Sequence, residues 1–134
     1  MSGLAGFRAD LQAVLQAAGA TVYSEYDPTP LHGRGQYITL GQGSILGTAP
    51  ENTGEQCYPM KIALRLRVLD APGTAPDTLM TTFEDKVLGP LLDGGYVPMQ
   101  LVVRPAEYCR ALNKMQLEAV ITLRYSYVRE EAAT

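Results

Sequence analysis

The sequence predicts an α+β domain: a mainly antiparallel sheet of four to five strands with two helices packed on one face, in the order α-β-β-β-α-β-β. Three observations carry this. In Cys57–Leu69, Met60, Ile62, Leu64, Leu66 and Val68 alternate with Lys61, Ala63, Arg65 and Arg67, the period of a strand with one buried face. Met115–Val128 repeats the pattern, setting Met115, Leu117, Ala119, Ile121, Leu123 and Tyr125 against Gln116, Glu118, Thr122, Arg124 and Ser126. Two other stretches place apolar residues every three or four positions, the spacing of helices with one apolar stripe. Runs of strands with segregated helices make an α+β domain rather than a doubly wound one.

Taken in order, the first element is a helix from Gly3 to Ala18, with Leu4, Phe7, Leu11, Val14, Leu15 and Ala18 on its stripe and Gly19 as the C-terminal cap. Thr21 to Tyr26 is β-branched and aromatic enough for a short strand, ended by Asp27-Pro28. A turn over Leu31 to Gly35 leads to a strand over Gln36 to Leu46, bent at Gly41 and Gly43. Gly47 to Gln56 is polar and long for a hairpin connection, and surplus length in a loop points either to binding or to simple mobility. After the strand over Cys57–Leu69, Thr74-Ala-Pro-Asp77 reads as a capping box with proline in the first turn.

The second helix then carries Leu79, Phe83, Val87 and Leu91 on its stripe, with Gly89-Pro90 expected to kink or end it before Asp93. Tyr96 to Arg104 alternates Val97, Met99, Leu101 and Val103 against Gln100 and Arg104, which predicts a third good strand with Pro98 at an edge or bulge. Glu107 to Lys114 fits a short strand, a helical turn or a loop equally well, and Asn113-Lys114 suits a turn into the last strand. The tail Arg129 to Thr134 is expected to fray.

At 134 residues the chain is read as one domain, 1–134. With 46% hydrophobic and 19% charged residues it has the composition of an ordinary globular protein, and its longest apolar runs are too short to cross a bilayer. The N-terminus lacks the basic start and apolar core of a signal peptide, which argues for the cytosol and for reduced Cys57 and Cys109. A net charge of −3 argues against general nucleic-acid binding, which needs clustered cations to neutralise phosphates. Five of the eleven basic residues, Lys61, Arg65, Arg67, Arg104 and Arg124, fall on the polar sides of strands. Glu51, Glu55, Asp70, Asp77, Glu84, Asp85 and Asp93 gather in a loop and around a helix, so a basic face and an acidic face are expected.

No constellation suits catalysis. A nucleophilic triad needs a base, and the one histidine, His32, has no nearby serine or cysteine. The cysteines lack metal-ligand spacing, and small buried hydrophobes are their default reading. Gly41-Gln-Gly43 lacks the third glycine and the βαβ context of a dinucleotide fingerprint. Glu84-Asp85 and Glu130-Glu131 read as solvated charge rather than as an acid and base pair. No catalytic residue, cofactor or metal site is expected. Arg65 and Arg67 lie two apart, so both side chains stand on one sheet surface, available to a carboxylate or phosphate or else to Glu118 across the strands. Eight tyrosines without tryptophan are too many for one core and suit an interface.

An amphipathic first helix, a Tyr-containing strand closed by Asp-Pro, a glycine-bent strand, a long loop, an alternating basic strand, a capped second helix and a last strand ending Arg-Tyr-Ser-Tyr follow one another. Over Leu4 to Tyr127 this resembles the tail terminator, or tail completion, proteins of long-tailed bacteriophages and prophages. The resemblance lies in element order and size, since the family has no catalytic motif to match.

It implies a non-enzymatic assembly protein that forms a homo-oligomeric ring, usually a hexamer. The ring caps the tail tube and joins it to the head connector or neck, in a virion tail assembled in the bacterial host cytoplasm. Its partners would be itself, the tail tube protein and the head connector, with no membrane and no specific nucleic acid. Ring closure needs two different complementary patches, for which Lys61, Arg65, Arg67, Arg104 and Arg124 on one side and Glu51, Glu55, Glu84 and Asp85 on the other are the candidates. The alternative is a small dimeric α+β binding domain that uses the basic sheet face for an anionic ligand.

Overall fold

The two alternating segments lie side by side as the centre of the sheet. A computed structural model of the chain describes residues 3–24, 35–47 and 57–128. His32, Glu51, Glu55, Glu130, Glu131, most of the long loop and the tail fall outside these residues. The described elements are α1 (Gly3–Ala17), β1 (Val22–Ser24), β2 (Tyr37–Gly47), β3 (Cys57–Asp70), α2 (Pro76–Phe83), a π-helical turn (Glu84–Leu88), α3 (Gly89–Asp93), β4 (Gln100–Val103), β5 (Glu107–Cys109) and β6 (Lys114–Val128).

β3 and β6 pair antiparallel without a slip from Cys57↔Val128 to Asp70↔Met115. This register puts Ile62, Leu64, Leu66 and Val68 on the same face as Leu117, Ala119, Ile121 and Leu123, all eight buried. The helices cover that face with Leu11 and Leu15 from α1 and with Leu79, Phe83, Val87 and Leu91 from the second helical run. Each such side chain, fully withdrawn from water, contributes about 1.5–3 kcal/mol. The sheet order is β1-β2-β3-β6-β4, with β5 also on β6, giving six strands. The expected four to five becomes six because the ambiguous stretch at Glu107 forms β5. All pairs are antiparallel except β1 with β2, where Val22 lies opposite Ile38 in a parallel pair.

Local chemistry accounts for most boundaries. Gly19, at φ +92°, ends α1, with Ala20 N–H bonded to Leu15 O and Gly19 N–H to Gln16 O, the paired bonds of a Schellman cap. Gly95, at φ +85°, ends α3 in the same way through Tyr96 N–H to Leu91 O and Gly95 N–H to Leu92 O. In β2 the register shifts between Gln42 and Ile45. A Cβ at Gly43 would lie 2.7 Å from the Ala63 carbonyl oxygen, so the bulge requires glycine.

Four expectations are corrected. The capping box is not made: Ala75 is the N-cap with no side-chain bond, and the Thr74 hydroxyl instead donates to Ala71 O at 2.6 Å. Of the two outcomes expected at Gly89-Pro90, ending is not realised: the α-helical pattern is interrupted by a π-helical turn that lets Gly89 N–H reach Glu84 O and absorbs the missing proline donor, and the helical run closes at Asp93 as expected. The third strand is only Gln100–Val103. Its supposed inward residues Val97, Met99 and Leu101 are exposed, since β4 is an edge strand. β4 and β5 run along the same side of β6 and are separated by Pro105, with one surplus residue between Arg104 and Glu107.

Candidate assembly surface

The face of the sheet turned away from the helices carries β3 residues Lys61, Ala63, Arg65, Arg67 and Leu69 against β6 residues Arg124, Thr122, Val120, Glu118 and Gln116. One end is closed. Tyr37 and Leu69 are buried there, the Tyr23 ring meets Tyr37 edge-on at 5.7 Å, and Lys114 lies 5.8 Å from the Tyr37 ring centre while donating to Gly35 O. Burial, and then the neighbouring Cys109 and Tyr23, raises the Tyr37 hydroxyl pKa above its ordinary 10.0.

Next to that end, three arginines converge on one carboxylate. Glu118 faces Arg67 directly across the β3–β6 pair. Its carboxylate oxygens lie 3.7 Å from Arg67 Nε, 4.0 Å from Arg65 Nε and 3.8 Å from Arg104 Nε. Cross-strand pairing with Glu118, the simpler reading of Arg65 and Arg67, is therefore the one the geometry realises, and it extends to Arg104 from the edge. Glu118 is only 19% exposed, so this cluster is a knit part of the sheet rather than a set of free side chains.

The opposite end differs. Lys61 and Arg124 face each other directly across the strands, both exposed, with Leu46 of β2 opposite Lys61 on the other side. They line an open depression of about 260 Å³ with Leu46, Pro59, Met60 and Ser126. Like charges directly opposed across strands are destabilising by themselves. The structure thus divides the five predicted cations into a trio gathered on Glu118 and a pair left facing solvent.

Glu84 and Asp85 are both exposed on the π-helical turn, in the helical layer on the other side of the sheet. This sets Glu84 and Asp85 on the opposite side of the sheet from the five cations, although Glu118 lies among those cations and Lys86 lies on the same helical turn as the two carboxylates. Val97, Met99, Leu101 and Val102 are exposed apolar residues at or beside β4, and Val97 and Met99 share a depression with Leu123 and Arg124. Sequence reading missed this edge because exposed apolar alternation looks like buried alternation; Pro98 was the one signal. Of the tyrosines, Tyr96 and Tyr125 pack on Phe7, while Tyr58, Tyr108 and Tyr127 are exposed.

No protein-family model matches the sequence, and no curated protein matches it. Among solved structures, the chain aligns over 100% of its length with the PVC sheath/tube terminator of an extracellular contractile injection system, determined by cryo-EM in the extended state, at a TM-score of 0.51. The fold is that of a sheath/tube terminator. Identity with that terminator is 12%, so the likeness is one of architecture. The chain spans 62% of the terminator's length. Among the described residues, the Lys61 and Arg124 end of the sheet face and the β4 edge are exposed. No helix among the described residues is long and apolar enough to cross a membrane, and they contain no cluster of three His, Cys, Asp or Glu side chains able to hold a metal.

Proposed function

We propose that the chain is a structural, non-enzymatic terminator whose copies close into a ring, a hexamer, that caps a tail tube and presents a docking surface to a head connector or neck. The observation that carries this reading is the terminator architecture along the whole chain. A ring needs two unlike patches that meet head to tail. The sheet face, where Lys61 and Arg124 stand exposed beside the arginines gathered on Glu118, and the helical layer with Glu84 and Asp85 are candidates for such patches. The site of action is the virion tail, or the tail-like assembly of an injection system, built in the bacterial host cytoplasm.

Negative-stain imaging of the purified chain mixed with assembled tail tubes from the same source tests the reading. Rings seated on one end of each tube are the expected result; bare tube ends beside monomers or two-fold dimers would overturn it. The competing reading, a dimeric domain that holds an anionic ligand on the basic face, draws on the opposed Lys61 and Arg124. It requires a two-subunit mass and calorimetric binding of a small dianion, neither of which a ring terminator needs.

A further inference from the structure

The opposed cations Lys61 and Arg124 have no described counter-ion. Their depression is lined by Leu46, Pro59, Met60 and Ser126, none of them acidic. The trio of arginines has already taken Glu118, the acidic residue on this face of β6. Four residues along β3, about 13 Å, separate Arg65 from Lys61, beyond the ~8 Å screening length at physiological salt. The two groups of cations therefore act largely independently, and only one of them gathers around a carboxylate within the described structure.

Glu84 and Asp85 are in the complementary position. Both are exposed, and the residues three and four away from them, Met80, Thr81, Thr82, Val87, Leu88 and Gly89, include no cation to form the usual pair along a helix. Among the other described carboxylates, Asp70 accepts from Ala71 N–H and Gln36, Glu107 accepts from Gln116, Asp77 lies in the first turn of α2, and Asp10 and Asp93 are exposed but stand singly, so Glu84 and Asp85 are the adjacent exposed pair that matches two cations. Glu84 and Asp85 lie in the helical layer, whereas Lys61 and Arg124 point from the far side of the sheet. One copy cannot join them; two copies related head to tail can.

We infer that the subunit contact of the assembled protein is an ion-pair contact in which Lys61 and Arg124 of one copy receive Glu84 and Asp85 of the next, and that Arg65, Arg67 and Arg104 are not part of it. Leu46, 60% exposed beside the cations, gives the contact an apolar margin, as interface rims and cores combine the two. This inference rests on the ring reading and specifies its chemistry.

The test is a charge exchange on the full chain, read by light scattering and negative stain. K61E/R124E and E84K/D85K are each expected to reduce assembly at least tenfold, and the four changes together to restore it. R104Q is expected to leave rings intact. Should either reversed pair fail to fold, the milder K61Q/R124Q gives the same readout, with assembly weakened and circular dichroism unchanged. Wild-type rings that survive K61E/R124E, or a four-fold variant that stays dispersed, would overturn the pairing alone. The same holds if K61E/R124E lowers monomer stability without touching the ring, which would assign the cations to carboxylates of their own chain. A wild-type chain that never assembles overturns the ring reading and the pairing together.

Discussion

The two ends of one strand pair treat charge in opposite ways. At one end β3 sets Arg67 against Glu118, and Arg65 and Arg104 close in on the same carboxylate. At the other end it sets Lys61 against Arg124, two cations in direct opposition. Along β3 both ends look alike, as basic residues on the polar side of an alternation. Register separates them: the first arrangement stabilises the sheet, and the second adds repulsion that no described carboxylate offsets. A charged strand face is therefore an interface candidate only where its cross-strand neighbours leave the charge unspent.

The comparison can be broken most forcefully at the bulge between the two ends. Gly43 lies where β2 shifts register opposite Ala63, and G43V would force a side chain into the 2.7 Å gap to the Ala63 carbonyl oxygen. Overpacking of this kind costs about 1–3 kcal/mol, and chemical denaturation is expected to show a loss toward the upper figure. Glu118 gives the next largest effect. E118Q removes the one carboxylate among three arginines and should destabilise the fold by about 1 kcal/mol, discounted for their exposure.

The smallest effect has the opposite sign and sharpens the contrast most. K61E places a carboxylate across from Arg124 and should stabilise the monomer by about 0.5 kcal/mol, measured by denaturation at concentrations where the chain is monomeric. Thus a change that strengthens the subunit is expected to weaken its assembly. A K61E chain less stable than wild type would mean that Lys61 already has a partner within its own copy.

Much of the fold was legible because it follows from local patterns. The alternation in Cys57–Asp70 and Lys114–Val128 marks both central strands, and the helical stripes name Leu11, Leu15, Leu79, Phe83, Val87 and Leu91 as core, all of them buried. Gly19 was readable as a cap because left-handed backbone favours glycine. What escaped depends on non-local placement. Val97, Met99 and Leu101 alternate like core residues, yet they lie at or beside an edge strand that the helices do not cover. Pro90 is a sound stop signal, but the π-helical turn at Glu84–Leu88 carries the helix through it.

The candidate surface shows the same division. The basic residues could be named from the polar side of β3 and β6. Their sorting into a trio around Glu118 and an opposed pair could not, because β3 and β6 are joined through the helices and β4–β5, and no hairpin turn sets their register. The likeness to a sheath/tube terminator was legible in element order, since order survives when side chains diverge.

The most direct test of the account is the mass of the purified chain in solution by multi-angle light scattering at micromolar concentration. A ring terminator is expected to run as a single closed species of about six 14.5 kDa subunits that dissociates as salt is raised. A stable mass of one or two subunits at every salt concentration would contradict it.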